Sequence, residues 1–278
     1  CTITNNDNAP SLTLVKSVSN THGGNAVATD WTLTATGSTT ISGAGGASSG
    51  SNFSAGTYTL SESTGPLGYD AGNWSCAKNN NAPVTGSSIT LTNGDSATCT
   101  ITNHDKTARI ILIKDVIKDN GGTAGSDDFG ISVGGFPVLS GQITDVNANT
   151  PYTLNETGHS GYSFVSLTGD AKCPSVLGGT VTLDEGESVT CTITNNDNAP
   201  SLTLVKVVDN DFGGTASESS WTLTATGPTG FSGAGPSVSN GASFDAGTYN
   251  LSESAALPGY TNGTKWDCVG GGTQNDPD

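Results

Sequence analysis

A string of sixteen residues occurs twice in this chain, and it constrains the fold more than any other feature. The string CTITNNDNAPSLTLVK occupies residues 1–16 and returns without change at residues 191–206. A diverged copy, CTITNHDKTARIILIK, occupies residues 99–114. Self-similarity at a long period is typical of modular arrays. The chain is therefore predicted to be an array of small domains, in which the recurring string is the junction between neighbours.

The recurring string also predicts where the domains begin and end. We interpret CTITN as the last strand of one domain and SLTLVK as the first strand of the next. Residues 1–8 are then the closing strand and linker of a preceding domain that the chain does not include. Three repeats follow, at residues 9–104, 105–196 and 197–278, and the third lacks its closing strand. The chain is thus expected to be a fragment of a longer protein or a processed subunit.

The pattern of apolar residues predicts an all-β fold. Segments such as WTLTATG, GTYTLSES and SVTCTITN alternate apolar and polar residues, which is the period-2 signal of half-buried strands. Clusters of Gly, Asn and Ser between them, such as the stretch Thr36–Asn52, are predicted turns and loops. Several short strands in about ninety residues indicate a sandwich. The expected architecture is a tandem array of small Ig-like or prealbumin-like β-sandwich domains.

The charge of the chain limits its partners. There are 25 acidic and 9 basic residues, which gives a formal net charge of −16. This excess argues against nucleic acid and against an anionic membrane as partners of this segment. The sequence contains no phosphate-binding loop, no recurring Ser–His–Asp set and no cluster with metal-ligand spacing. We therefore expect no cofactor and no enzymatic activity beyond self-modification.

Cysteines recur at two equivalent places in successive units. One cysteine precedes TITN, and the other follows an aromatic residue or a lysine late in the unit. Recurrence predicts disulfides between Cys76 and Cys99 and between Cys173 and Cys191. Each would close a loop of roughly twenty residues, for which the chain-entropy model gives about 3 kcal/mol. Such bonds indicate an oxidising, extracellular compartment, whereas buried free thiols in a cytosolic protein are the alternative.

Two cysteines are left without a partner in this scheme, and they are complementary. Cys1 lies on a closing strand without its domain, and Cys268 lies in a domain without its closing strand. Each is expected to form a disulfide with residues outside the chain. If the chain is a whole subunit, Cys1 and Cys268 of different molecules are expected to pair.

The apolar face of three strands in each unit carries one polar residue. In the first unit, Lys16 follows Leu12 and Leu14 at even spacing, and Glu62 and Asn103 hold the corresponding places in their strands. Residues at even spacing share one face of a strand. The corresponding residues elsewhere are Lys114, Glu156 and Asn195, then Lys206 and Glu253, and finally Asn5 of the absent preceding domain.

A lysine, a carboxyl and an amide that meet in an apolar core can react. Desolvation lowers the pKa of a lysine and raises that of a glutamate. A neutral amine is a nucleophile, and a protonated glutamate can polarise the amide and transfer protons. The predicted product is a Lys–Asn isopeptide bond formed with loss of ammonia, with Glu62, Glu156 and Glu253 as the self-cross-linking acids. A buried Lys–Glu ion pair is one alternative, and a reversed strand phase with Val15 inward and Lys16 outward is another.

The order of these motifs resembles a known family. LTLVK16 in the first strand, YTLSE62 followed by GPLGY, and TITN103 in the last strand are similar to CnaB-type, prealbumin-like (SpaA-like) repeat domains of bacterial pilins and surface adhesins. YTLNE156 with HSGY and YNLSE253 with LPGY repeat the pattern. The resemblance covers nearly the whole chain and implies a rigid, protease-resistant β-sandwich. It departs from the family in the cysteine pair and in the residues before GY.

The predicted function is mechanical. The chain is expected to be a segment of a stalk or fibre, secreted or on a bacterial cell surface. The alternative is an adhesive module that binds a host or surface ligand through loops such as Thr36–Asn52. The polar string NNDNAP also resembles cadherin linkers, so Asp7 and Asp197 are weak candidates for calcium ligands between domains.

The incomplete domains predict head-to-tail association. A sandwich without its closing strand exposes backbone groups and apolar core, which favours addition of another strand. We expect residues 1–5 of a neighbouring repeat or another copy to fill the third unit, with Ile3 entering the core. Because the two surfaces that join are different, the association would propagate as a fibre.

Overall fold

The computed structural model describes residues 1–274, which form a nearly all-β chain. Helical structure within them is limited to the 3-10 turns Ala28–Asp30, Ser126–Asp128 and Glu218–Ser220. The all-β expectation is confirmed. The last four residues assigned to the third repeat lie outside the described residues.

The strands fall into three groups that follow the sequence repeats. The first repeat contains Ser11–Ser19 (β1), Thr32–Thr36 (β2), Ile41–Ala44 (β3), Gly46–Ser48 (β4), Gly56–Glu62 (β5), Tyr69–Ala71 (β6), Ser75–Lys78 (β7), Val84–Thr85 (β8), Ser88–Leu91 (β9) and Ser96–Asp105 (β10). The second contains Ala108–Ile117 (β11), Gly130–Val133 (β12), Phe136–Pro137 (β13), Ile143–Val146 (β14), Pro151–Thr157 (β15), Tyr162–Gly169 (β16), Thr180–Thr182 (β17) and Ser188–Asp197 (β18). The third contains Thr203–Val205 (β19), Thr222–Thr226 (β20), Phe231–Ala234 (β21), Ser237–Ser239 (β22) and Asn250–Glu253 (β23).

The chain divides into two compact units, and the first contains the whole first repeat. This unit comprises Cys1–Ile113, Gly130–Glu156 and Leu167–Thr192. One sheet of the first repeat has the order β4-β1-β10-β7-β8, with β6 also paired to β10, and the other has the order β3-β2-β5-β9. The first and last strands, β1 and β10, are parallel neighbours, and Val18 lies beside Asn103. The chain therefore enters and leaves this repeat on adjacent strands.

The core of the first repeat lies between its two sheets. It is formed by the alternate residues that the period-2 pattern predicts to face inward, since Leu12 and Leu14 of β1 are buried with Leu33 of β2 and Tyr58 and Leu60 of β5. Side chains at alternate positions of a strand point to one face. This shared face also carries the polar residues of the candidate site.

The second repeat has the same strand arrangement. One of its sheets has the order β14-β11-β18-β16, and the other has the order β13-β12-β15-β17. Its first strand, β11, is therefore again a neighbour of its last strand, β18. The recurring string thus specifies the same pairing twice.

The second compact unit contains the third repeat, which is less complete. This unit comprises Lys114–Phe129, Thr157–Ser166 and the residues from Ile193 onward. The sheets of the third repeat have the orders β19-β22 and β21-β20-β23. Within the described residues, no strand takes the place beside β19 that β10 takes beside β1. Strand β19 has three residues where β1 has nine, and the nearby Val207 is 79% exposed.

The prediction of a loop over Thr36–Asn52 is wrong in its central part. That stretch contains β3, which pairs with β2, and β4, which pairs with β1. Gly46 is required there by close backbone packing, since a Cβ atom on it would lie 2.6 Å from the carbonyl oxygen of Leu14. Glycine in a strand often marks such an approach. The Gly/Ser-rich composition therefore reflects packing between strands, which a pattern of turn residues does not distinguish from a loop.

Candidate cross-linking sites

The first repeat brings Lys16, Glu62 and Asn103 together in its core. Lys16 Nζ lies 2.7 Å from Glu62 Oε2, and Asn103 Nδ2 donates to Glu62 Oε1 at 3.1 Å. The side chain of Lys16 is fully buried, and that of Glu62 is 12% exposed. Strands β1, β5 and β10 each supply one of the three residues. Glu62 therefore contacts both groups that the predicted bond would join.

The surroundings of Lys16 favour its neutral form. Burial lowers the pKa of its ammonium group, and the hydrogen bond and charge of Glu62 only partly oppose this effect. The ammonium also lies 4.6 Å from the ring centroid of Trp31, which covers it on one side. A proton that passes from Lys16 to Glu62 would leave a neutral amine beside a neutral acid.

Within the described residues, the side-chain amide of Asn103 has one hydrogen bond, which its nitrogen donates to Glu62. Its Oδ1 atom is buried and has no hydrogen-bond partner in the described part of the chain. A buried carbonyl without a donor is costly, and such groups are rare in folded proteins. A protonated Glu62 could donate to this oxygen after the amide turns over. The site is therefore suited to polarise the carbonyl for attack.

The second repeat places the equivalent lysine against its asparagine. Lys114 Nζ lies 2.6 Å from Asn195 Oδ1 and 3.4 Å from the carbonyl oxygen of Ile193. The ring centroid of Phe129 is 4.3 Å from the same nitrogen. Glu156 lies on β15, in the place that Glu62 takes on β5. The amine and the amide are thus in direct contact.

The third repeat has the lysine and the glutamate of the set. Lys206 Nζ lies 2.7 Å from Glu253 Oε2, and the ring centroid of Trp221 is 4.9 Å away. The Lys206 side chain is 15% exposed, whereas that of Lys16 is fully buried. Asn5, the sequence equivalent of Asn103, lies in an exposed segment that forms no strand. The described residues bring no asparagine to this site.

The reversed strand phase is excluded. Val15 is 37% exposed and Lys16 is 5% exposed, so the lysine faces the core and the valine faces outward. Lys114 and Asn195 are likewise buried.

Both disulfides predicted from cysteine recurrence are present. Cys76 and Cys99 lie directly opposite each other on β7 and β10, with their Cα atoms 4.0 Å apart. Cys173 and Cys191 are bonded with a Cα separation of 5.7 Å. The first bond ties the last strand to β7 and not to β1, so it leaves the link between first and last strands to other groups. Cys1 and Cys268 are exposed free thiols.

Three copies of one domain profile cover almost the entire chain. The prealbumin-like fold domain matches residues 7–101, 105–193 and 197–277. The chain belongs to this family. The matched ranges correspond to three prealbumin-like repeats in tandem.

Comparison with solved structures gives matches at low sequence identity. The TIE protein of Bacillus anthracis is 18% identical with a TM-score of 0.52, over 90% of this chain and 46% of that protein. The chain thus spans just under half the length of that relative. The major pilin T-13 of Streptococcus pyogenes is 16% identical over 68% of this chain and 97% of its own, with a TM-score of 0.29. The pilus adhesin SpaC of Lactobacillus rhamnosus GG is 15% identical over 66% of this chain and 31% of its own, with a TM-score of 0.29.

Two further observations complete the comparison. No functionally curated protein matches the sequence. Among the described residues, no helix has the length and apolar character needed to cross a membrane.

The two weak calcium candidates, Asp7 and Asp197, accept hydrogen bonds from nearby donors. Asp197 accepts hydrogen bonds from backbone N–H groups, at 2.6 Å in the case of Gly122. Asp7 accepts a hydrogen bond from Asn93 Nδ2 at 3.0 Å. In the part of the chain that the structure describes, no three acidic, histidine or cysteine side chains form a group that could hold a metal ion. Both carboxylates thus have hydrogen-bond donors among the described residues.

Two aromatic positions of each repeat support the site in ways that the sequence motifs do not predict. One is the ring against the lysine, contributed by Trp31, Phe129 and Trp221. The other is the tyrosine of the GY motif, whose hydroxyl accepts from the backbone N–H of Ala26 in the first repeat and of the corresponding alanines in the other two. The first aromatic residue precedes TLTATG in the first and third repeats and GISV in the second, and the tyrosine follows a glycine in all three. Only the structure shows that they enclose the lysine and hold the loop after the first strand.

Acid should destabilise the first repeat through Asp95. Hydrogen bonds from the backbone and hydroxyl of Thr92, from Asn79 and from Lys78 hold the pKa of this carboxyl far below its usual value. A lowered pKa stabilises the fold above the unfolded value of about 3.9, and this stabilisation is lost as pH falls through the folded value. The free energy of unfolding should therefore fall below about pH 4. Asp95→Asn should flatten the dependence in urea titrations, whereas Asp70→Asn, at a 71% exposed carboxylate, should not.

Proposed function

We propose that this chain is a load-bearing segment of an extracellular stalk or fibre, made of β-sandwich repeats whose first and last strands become covalently joined. The observation that carries the proposal is the position of Lys16 and Asn103. They lie on parallel neighbouring strands where the chain enters and leaves the first repeat, and both contact Glu62. A bond between them would carry tension past the rest of the repeat.

The proposed reaction needs no external reagent. The neutral amine of Lys16 attacks the side-chain carbonyl carbon of Asn103, while protonated Glu62 donates to the amide oxygen. Glu62 then takes a proton from the former amine and transfers it to the leaving amide nitrogen. The C–N bond of the asparagine amide breaks while its oxygen returns the proton to Glu62, so that a Lys–Asn amide and one ammonia are formed and the acid is regenerated. Lowering of the Lys16 pKa by burial supports the nucleophile.

The same chemistry is proposed for the other repeats. In the second, Lys114 would bond to Asn195 with Glu156 as the acid, and the 2.6 Å contact of lysine and asparagine supports this. In the third, Lys206 and Glu253 would act once a closing strand supplies an asparagine equivalent to Asn5. The same strand would bring a cysteine equivalent to Cys1 to Cys268. The partners are thus neighbouring repeats or further copies, arranged head to tail.

Intact mass tests the reaction. The folded chain should be lighter than its sequence by one ammonia for each of two cross-links, in addition to the two hydrogens lost at each disulfide. Glu62→Ala should restore one ammonia, because the first repeat loses its proton-transfer group while the second keeps its own. Tandem mass spectrometry should then show Lys16 in a linear peptide.

Asp70→Ala is the matched control, because Asp70 is an exposed acid outside the core. It should leave both cross-links in place. A wild-type chain with the full unmodified mass would refute cross-linking, and would leave a buried ion pair as the role of Lys16 and Glu62.

A stalk is favoured over an adhesive module. The candidate loop Thr36–Asn52 contains the paired strands β3 and β4, and the candidate cross-linking groups lie in the cores of the repeats. Two disulfides support an oxidising location, either secreted or on a bacterial surface. A binding screen on the isolated chain tests the alternative, since the stalk proposal expects no specific ligand.

A further inference from the structure

The first prealbumin-like repeat contacts the second through the loop that follows β1. The carbonyl oxygen of His22 accepts a hydrogen bond from the backbone N–H of Ala148 at 2.7 Å. Asn149 Nδ2 donates to the carbonyl oxygen of Gly23 at 3.1 Å. A Cβ atom on Gly23 would lie 2.4 Å from the carbonyl oxygen of Ala148, so only glycine permits this approach. We call residues 20–24 the docking loop.

The same contact recurs at the next junction. The carbonyl oxygen of Asn120, in the loop after β11, accepts from the backbone N–H of Ala246 at 2.7 Å. Gly121 again approaches the backbone of that alanine, with a hypothetical Cβ 2.8 Å from its carbonyl oxygen. The equivalent loop of the second repeat, residues 118–122, is also called a docking loop here. Both docking loops end in a Gly-Gly pair. Because the same geometry occurs at two junctions, we regard it as a regular feature of the contact between successive repeats.

Each docking loop is hydrogen-bonded to the end of the last strand of its own repeat. The carboxylate of Asp105, at the end of β10, accepts from the backbone N–H groups of Thr21, His22 and Gly24 at 3.0, 2.7 and 2.9 Å. Asp105 is 4% exposed. These contacts turn the N–H groups inward and leave the His22 carbonyl free to face the next repeat.

The second joint repeats this support. Asp197, at the end of β18, is 5% exposed and accepts from the backbone N–H groups of Asp119, Asn120 and Gly122. Hydrogen bonds to a charged acceptor are among the stronger ones in proteins. The carboxylate therefore defines the loop shape at both joints.

The third repeat shows the loop without this support. Phe212 takes the position of His22 and is fully exposed. The N–H of Asp211 donates to the nearby carboxylate of Asp209 at 2.9 Å. In the first repeat, the N–H of the equivalent Thr21 donates to Asp105. Within the described residues, no last strand reaches this loop. In this loop the N–H of Asp211 is consequently satisfied by a neighbouring residue, Asp209.

We propose that the aspartate at the end of the last strand, Asp105 in the first repeat and Asp197 in the second, is a latch that couples closure of one repeat to docking of the next. Insertion of the last strand places the carboxylate, the carboxylate shapes the docking loop, and the loop then binds the backbone of the following repeat. The partner surface is the backbone a few residues before the YxL motif, at Ala148 and Ala246. The joint thus depends on amide donors and not on a bound cation, and it does not require the Lys–Asn bond.

Hydrogen exchange on the full chain tests the latch at both joints. Asp105→Asn weakens the acceptor and should speed exchange of the Ala148 amide, in the next repeat, by about tenfold or more. It should leave the Ala246 amide unchanged. Asp197→Asn should do the reverse, so that each variant is the control for the other. Addition of EDTA to the wild type should alter neither amide.

Three results would overturn the proposal. The first is an Ala148 amide that stays protected in Asp105→Asn although the docking loop itself exchanges faster. The second is a loosening of either joint by EDTA, which would assign the joint to a cation. The third is loss of protection throughout the altered repeat in both variants, which would make the aspartates supports of the fold alone. If Asp105→Asn alone unfolds its repeat, the test rests on the second joint. Faster exchange of the Ala246 amide in Asp197→Asn then supports the latch, and unchanged exchange of that amide refutes it.

Discussion

Under tension, the first repeat of the wild-type chain should not lengthen, whereas Lys16→Met should release roughly 200 Å of hidden chain at about 3.4 Å per residue. Force reaches this repeat through β1 and leaves it through β10, its parallel neighbour. A Lys16–Asn103 bond would carry the load directly between them. Methionine fills a similar volume but cannot form the bond, so the strands would separate and the residues between them would extend. Single-molecule force spectroscopy measures this length.

The disulfide provides an internal scale for the same experiment. The Cys76–Cys99 bond closes a 23-residue loop, which stays hidden until it is reduced. In Lys16→Met with reductant, the released length should rise to roughly 300 Å. Lys106→Met is the control, because that lysine is half exposed and pairs with an exposed acid. Equal extension of wild type and Lys16→Met would contradict a cross-link between the first and last strands.

Trp31→Ala should destabilise the first repeat by about 3–5 kcal/mol, the usual cost of removing a large buried aromatic side chain. Trp31 is 2% exposed, covers the Lys16 ammonium and stands edge-on to Tyr69 at 5.4 Å. Its loss would leave a cavity and admit water to the amine. Water would favour the charged lysine, so formation of the isopeptide bond should also become slower. Denaturant unfolding and the intact mass during refolding measure the two effects.

Trp31→Phe is a control that the chain itself supplies. The second repeat has Phe129 at the equivalent position, with the lysine nitrogen 4.3 Å from its ring. A phenylalanine should therefore keep the amine covered and retain most of the stability and rate. If Trp31→Phe were as defective as Trp31→Ala, shielding of the amine by an aromatic face would not explain the role of this position.

Much of the site could be predicted because the chain repeats itself. Recurrence in successive units identified the cysteine pairs without knowledge of the fold. Strand parity placed Lys16, Glu62 and Asn103 on inward faces, because side chains in a strand alternate between two sides. These are local rules, and the repeats allow each to be checked more than once.

Tertiary structure decided the features that depend on the approach of distant segments. The strands within Thr36–Asn52 form because backbone hydrogen bonds and glycine packing compensate for weak side-chain signals. The role of Asp105 depends on backbone donors more than eighty residues away in sequence, and a carboxylate that binds amide N–H groups has the same letter as one that binds calcium. The sequence by itself determined the repeats, the cysteine pairs and the inward faces, because period and recurrence are properties of the chain. The tertiary structure alone decided which aromatic ring covers Lys16, which loop Asp105 holds and how one repeat contacts the next, because those are distances in space.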